Sequence, residues 1–203
     1  MIISASRRTD IPAFYTPWFL NRIQQGFVLV RNPMNYRQIS RVKLTPDVVD
    51  GLVLWTKNPA PMVDRLDELR QYMYYFQFSV TPYGKDIEPN LPHKHTNVLA
   101  TFKKIANTIG ADRVIWRYDP ILLNAKYTPD YHLHAFRKIA DALHGHTHKV
   151  TISFIDTDYR GVKSNLTGLN LLDFPIQTQQ KLAAGLANIA HEYGLTIDTC
   201  AET

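Results

Sequence analysis

Cysteine is nearly missing from this chain: Cys200 is the single one among 203 residues. One thiol excludes a disulfide framework, and it cannot by itself hold an iron–sulfur cluster, which takes three or four thiolates. Long apolar runs are missing too. No stretch approaches the ~20 residues needed to cross a bilayer, and Met1-Ile2-Ile3-Ser4 leads into Arg7 and Arg8 rather than into the apolar stretch of a signal peptide. These absences predict a soluble, cytoplasmic protein. There is no Walker A sequence, no G-x-G-x-x-G and no nucleophile elbow, and no Lys/Arg run exceeds two residues. The net charge of +5 is therefore a mild hint of an anionic partner, with an ordinary basic surface as the alternative.

What the chain does have is six apolar, β-branched-rich runs that each turn polar at the C-terminal end. Their tips read Ser6-Arg7-Arg8-Thr9-Asp10, Trp55-Thr56-Lys57-Asn58-Pro59, Ser79-Val80-Thr81-Pro82, Trp116-Arg117-Tyr118-Asp119-Pro120, Ser153-Phe154-Ile155-Asp156 and Asp198-Thr199-Cys200-Ala201-Glu202. Helical patterns separate most of the runs, which predicts parallel strands joined by right-handed crossovers. The expected helices cover about 18–25 (closed by Gly26), 61–72, 96–109 (capped by Thr96 or Asn97, closed by Gly110), 129–143 and 177–193. Residues 27–44 read as an inserted β-hairpin around Asn32-Pro33-Met34-Asn35. The prediction is one α/β domain over residues 1–203: a TIM-like partial barrel of about six parallel βα units. It buries roughly 70% of its unfolded surface, and its polar tips gather at one rim. An open barrel leaves strand edges, so a homodimer through those edges is expected.

Strand alternation selects the candidate residues. Gln77, Ser79 and Thr81 share one face, as do Arg117 and Asp119, Thr151 and Ser153, and Asp198 and Cys200. Apolar helices must cover the opposite face, so these polar faces should line a lumen that holds water or a ligand. Arg7 and Arg8 make a fork for carboxylate or phosphate, or one of them pairs with Asp10 or Asp119 and staples the loop. Lys57, beside Asn58, is an anion ligand, a proton donor or a surface lysine. Arg117 is either locked in a structural pair with Asp119 or presented to a ligand by it. Glu88, in the long 82–95 loop, and Glu202 are candidate bases. Arg7, Arg8, Lys57 and Arg117 are expected to converge on one anion-binding mouth.

The histidines suggest metal only weakly. His144, His146 and His148 flank a turn at the far end of the strands, His132 and His134 point different ways on a helix, and His93 and His95 lie in the rim loop. No metal-ligand set emerges. A non-catalytic nucleic-acid-binding module, using exposed aromatics such as Tyr83 and Tyr159, is the alternative function, followed by a metal-independent TIM-barrel hydrolase.

The segments Ser4-Ala5-Ser6-Arg7-Arg8-Thr9-Asp10-Ile11-Pro12, Val30-Arg31-Asn32-Pro33, Trp55-Thr56-Lys57-Asn58-Pro59, Phe76-Gln77-Phe78-Ser79-Val80-Thr81 and Trp116-Arg117-Tyr118-Asp119-Pro120 resemble those of a bacterial and archaeal family of uncharacterised proteins. Longer members of that family end in a Cys-x-x-x-Cys-x-x-Cys cluster like that of radical S-adenosylmethionine enzymes. Thr56-Lys57-Asn58, Glu88-Pro89 and Arg117-Tyr118-Asp119-Pro120 also resemble elements of the spore photoproduct lyase group. The resemblance implies a radical-SAM-like enzyme with a 4Fe–4S cluster and S-adenosylmethionine in the longer members, though the cluster ligands are not among these 203 residues. The residues expected to serve an anionic or nucleotide-like ligand are Arg117, Asp119, Lys57 and Glu202 for chemistry, with Arg7, Arg8, Asp10, Asn58, Gln77, Ser79, Thr81 and Ser153 for binding.

Overall fold

The computed structural model describes residues 1–5, 9–155 and 168–200. The chain divides into two compact units, Met1–Gln77 and Phe78–Thr203. The fold is α/β, with a mostly parallel six-stranded sheet in the order β1-β4-β5-β6-β7-β8 and a separate β2-β3 pair. The strands themselves are β1 Ile2–Ala5, β2 Phe27–Arg31, β3 Ile39–Lys43, β4 Gly51–Thr56, β5 Tyr74–Ser79, β6 Val114–Ile121, β7 Lys149–Phe154 and β8 Thr196–Thr199.

In the first unit β1 runs parallel to β4, with Ile2 opposite Gly51 and Ala5 opposite Leu54. Leu52, Val53 and Leu54 are buried, as expected of a strand covered on both faces. Short helix α1 (Ile11–Phe14) is capped by Asp10. Helix α2 (Thr16–Gln25) has Pro17 in its first turn and ends at Gly26, whose φ of +72° favours a residue without Cβ. The predicted hairpin is present as an antiparallel pair, with Phe27 opposite Lys43 and Arg31 opposite Ile39. The helix expected over 61–72 is not continuous. It breaks into α3 (Ala60–Val63) and a 3₁₀ turn at Leu66–Leu69. Leu66 and Leu69 are both buried, and a spacing of three stacks them on one face in a helix of three residues per turn.

The second unit carries β6, β7 and β8 as parallel neighbours. They are accompanied by α4 (Leu99–Ile109), α5 (Pro129–Leu143) and α6 (Ile176–Glu192). The Thr128 hydroxyl caps α5 by accepting the Tyr131 N–H. The start of α4 differs from expectation: a π-helical turn at Lys94–Val98 precedes it, and the ring of His93, not Thr96 or Asn97, accepts the first free N–H. Aromatic packing builds the core. Phe78 stacks on Phe102 at 5.0 Å and Trp116 on Phe136 at 4.6 Å. Gly185 brings α6 close to α5, since a Cβ there would meet Leu133 at 2.7 Å. No described helix is long and apolar enough to cross a membrane.

Candidate functional site

The register of the second unit turns the sequence alternation into two polar rows. Arg117 of β6 lies opposite Thr151 of β7, and Thr151 lies opposite Asp198 of β8. Two residues further along, Ser153 donates its hydroxyl to Asp119 Oδ1, while Arg117 Nε and Nη2 both donate to Asp119 Oδ2, the first at 2.9 Å. The Cys200 amide bonds to the Ile152 carbonyl, so the chain stays beside β7 as it leaves β8. Period-two geometry places all these side chains on one face of three neighbouring strands.

Arg117 is only 5% exposed. Burial works against its charge, but the Asp119 carboxylate and then the Cys200 thiol more than compensate, and its pKa is raised. Asp198 is balanced in the same way. Burial favours its neutral form, yet hydrogen bonds from Lys149 and Thr151, with the charges of Lys149 and Arg117, keep it below its ordinary value. Lys149 Nζ sits 2.5 Å from Asp198 Oδ2. The strip therefore alternates charges that neutralise each other. A guanidinium has five N–H donors in a rigid fork, so one aimed by a carboxylate can still bind an anionic oxygen.

The rim loop is fastened by a second ion pair, between half-buried Lys94 and buried Glu88. Thr81 donates to Glu88 Oε2 at 2.7 Å, and Lys94 Nζ bridges Glu88 with the carbonyls of Thr81 and Tyr83. Glu88, a candidate base from sequence, is buried and holds the loop, as does Thr81. Tyr83 is buried too, at 3% exposure, which corrects its reading as an exposed stacking aromatic. Its hydroxyl donates to the Pro120 carbonyl at 2.6 Å and accepts the Leu122 N–H at 3.0 Å, clamping the strand end that follows Asp119.

Sequence reasoning missed His132. It is fully buried, with Nε2 2.9 Å from the Leu122 carbonyl and Nδ1 2.8 Å from the Tyr118 hydroxyl. A carbonyl only accepts, so Nε2 carries the proton and bare Nδ1 accepts from Tyr118. Burial depresses the His132 pKa, against the opposing effect of the Leu122 bond. The ring meets Tyr83, Tyr118 and Tyr131 edge-on. The available signal was the density of tyrosines at 118, 127 and 131 around a helix start.

Other predicted residues divide between the units. In the first, Asp10 Oδ1 accepts the Ala13 N–H at 2.9 Å, and Oδ2 accepts the Thr56 hydroxyl at 3.0 Å and the Lys57 N–H at 2.7 Å. The Asn58 N–H in turn bonds to Thr56 Oγ1. Asp10 thereby ties the turn after β1 to the end of β4. Gln77 is buried, and its Oε1 has no hydrogen-bond partner among the described residues. Ser79 is half-buried at the end of β5. Arg7, Arg8, Asp156, Tyr159 and Glu202 lie outside the described residues.

Residues 2–203 match the family described as Domain of unknown function (DUF1848). The chain belongs to that family. No curated protein matches the DUF1848 chain. Among solved structures it is similar to spore photoproduct lyase complexed with dinucleoside spore photoproduct, at TM-score 0.66 and 14% identity over 98% of this chain and 61% of that one. A mutant of that lyase with bound AdoMet and dinucleoside spore photoproduct gives TM-score 0.64 and 13% identity, over 97% and 60%. The DUF1848 chain thus spans about three-fifths of the lyase chains it matches. At this identity the likeness concerns the fold.

A 4Fe–4S cluster, which the sequence resemblance implies for longer family members, does not fit the residues present. There is one cysteine, and no group of three His, Cys, Asp or Glu among the described residues is placed to hold a metal.

Proposed function

We propose that residues 1–203 form one TIM-like βα-barrel domain, the barrel part of a cytoplasmic radical-SAM-like enzyme. In this reading the polar strip on β6, β7 and β8 binds an anionic or nucleotide-like ligand. Arg117 supplies the guanidinium fork, Asp119 orients it, Ser153 holds Asp119 in place, and Ser79 offers its hydroxyl to the same ligand. The observation that carries the reading is the hydrogen-bonded chain from buried Arg117 through half-buried Asp119 to half-buried Ser153, in register with Thr151 and Asp198. Charged groups on an inward strand face cost more than apolar packing there, and a ligand is the common reason to keep them. The nucleic-acid-module reading loses one of its two named aromatics to burial at Tyr83.

The test is thermal stabilisation of the chain by pyrophosphate, adenosine monophosphate and S-adenosylmethionine, which follows site occupancy. At least one should raise the melting temperature of the wild type. Arg117→Lys keeps the charge but loses the fork, and should weaken that response about tenfold, or ~1.4 kcal/mol. Should the variant prove poorly folded, Ser153→Ala serves instead, as it leaves the ion pair intact. No response to any of the three, or an undiminished response in both variants, overturns the reading.

A further inference from the structure

The first unit contains a groove with no role in the polar strip. It has a volume of about 550 Å³ and lies between the edge of β1, one side of α2 and the β2-β3 hairpin. Ile3, Trp18, Leu29, Val30 and Val42 give it apolar walls, and Arg22 stands among them. Leu29 and Val30 are 59% and 43% exposed, on a strand whose partner offers Ile39 at 54%. Apolar side chains left open on a hairpin and a helix facing one concavity mark an interaction surface.

Three observations define the occupant. The first is backbone: among the described strands β1 is terminal in the sheet order, with β4 as its neighbour. All four β1 residues line the groove, and among the described residues no strand pairs with its outer edge, which leaves N–H and C=O groups there for an entering strand. The second is charge. From Ile11 to Pro46 the sequence holds Arg22, Arg31, Arg37, Arg41 and Lys43 and no aspartate or glutamate. The next acid, Asp47, is paired with Lys43. The third is an unsatisfied donor: Arg22 Nε is buried with no hydrogen-bond partner among the described residues, while its Nη2 donates to Asn21. A buried donor left unpaired is costly, and a carboxylate reaching Arg22 from the groove would relieve that cost.

We propose that this groove binds an extended, acidic polypeptide strand from outside these 203 residues. The strand adds to the free edge of β1, places alternate apolar side chains against α2 and the hairpin, and presents a carboxylate to Arg22. Edge pairing supplies affinity, and the alternate pockets with the arginine supply specificity. A lipid surface or a nucleic-acid strand would meet the cations and apolar side chains but could not pair with a strand edge. The proposal is independent of the ligand proposed for β6–β8.

The probe is a blocked peptide of about ten residues alternating valine and glutamate, long enough for one strand, beside the same peptide with lysine for glutamate. Fluorescence anisotropy reports binding to the 203-residue chain, and hydrogen exchange reports where. The glutamate peptide should bind, protect the outward-pointing amides within Ile2–Ala5, and lose about tenfold in affinity in both Leu29→Asp and Arg22→Gln. Leu29 is exposed, so its substitution tests the groove without unfolding the unit. Equal binding of the lysine peptide, protection elsewhere, or no binding overturns the proposal. So does Leu29-dependent self-association, adsorption to phosphatidylglycerol vesicles or retention of single-stranded DNA when the peptide is ignored, since each names a different occupant.

Discussion

Asp10 in the first unit and Asp119 in the second both stand at the polar end of an apolar strand, and both accept three hydrogen bonds among the described residues, yet their chemistry differs. Asp10 accepts from two backbone N–H groups and a threonine hydroxyl, all uncharged. It acts as a helix cap and a strand-end tie. Asp119 accepts twice from a guanidinium and once from a serine. Neutral donors make a carboxylate a local staple whose loss is limited to the bonds themselves. A buried cation makes it a counter-charge, and removing it exposes the cost of the partner.

The largest expected effect follows from that asymmetry. Asp119→Ala leaves Arg117 buried without its carboxylate and should cost about 3–5 kcal/mol in urea unfolding. The double substitution Arg117→Met, Asp119→Ala should recover much of the loss. If the single and double variants are equally unstable, the two aspartates do not differ in the way described. Asp10→Ala removes a cap and two further bonds and should cost about 2 kcal/mol. Asp10→Asn should retain part of this, because an amide oxygen still accepts from an N–H. A loss at Asp10 larger than at Asp119 would reverse the comparison.

The smallest effect is a dependence on pH. His132 is neutral in the folded state with a lowered pKa, so the unfolded chain binds the extra proton first. Its contribution to stability is complete above the unfolded value of about 6.5 and is lost as pH falls through the lowered folded value. Unfolding free energies measured between about pH 7.5 and 5.5 should therefore decline on acidification. His132→Phe should flatten that decline while lowering stability throughout. An identical slope in the variant removes the histidine from the account and leaves the strand end after Asp119 held by Tyr83 alone.

Much of the fold was legible because its signals are local. Pro129 with Gly145 framed α5, Gly26 closed α2, and alternation assigned Arg117 with Asp119 and Thr151 with Ser153 to shared faces. The single helix over 61–72 was misread because leucines at 66 and 69 satisfy both an α-helical and a 3₁₀ pattern, and only burial distinguishes them. Tyr83 was misread for a related reason. A tyrosine in a proline-rich loop looks exposed until the backbone groups of Pro120 and Leu122 are brought to its hydroxyl. His132 left no trace beyond nearby tyrosines, since both of its partners are set by a turn rather than by spacing.

By itself the sequence determined the alternation of strands and helices, the polar faces of β5–β8 and the scarcity of thiols, because period, capping and composition act over a few neighbouring residues. Only the tertiary structure decided that Arg117, Asp119 and Ser153 form one chain, that Glu88 and Lys94 fasten a loop, and that β1 ends the order of described strands beside a basic, apolar groove. Those outcomes depend on register between strands and on which charges share a low-dielectric space. Neither is written in any one segment.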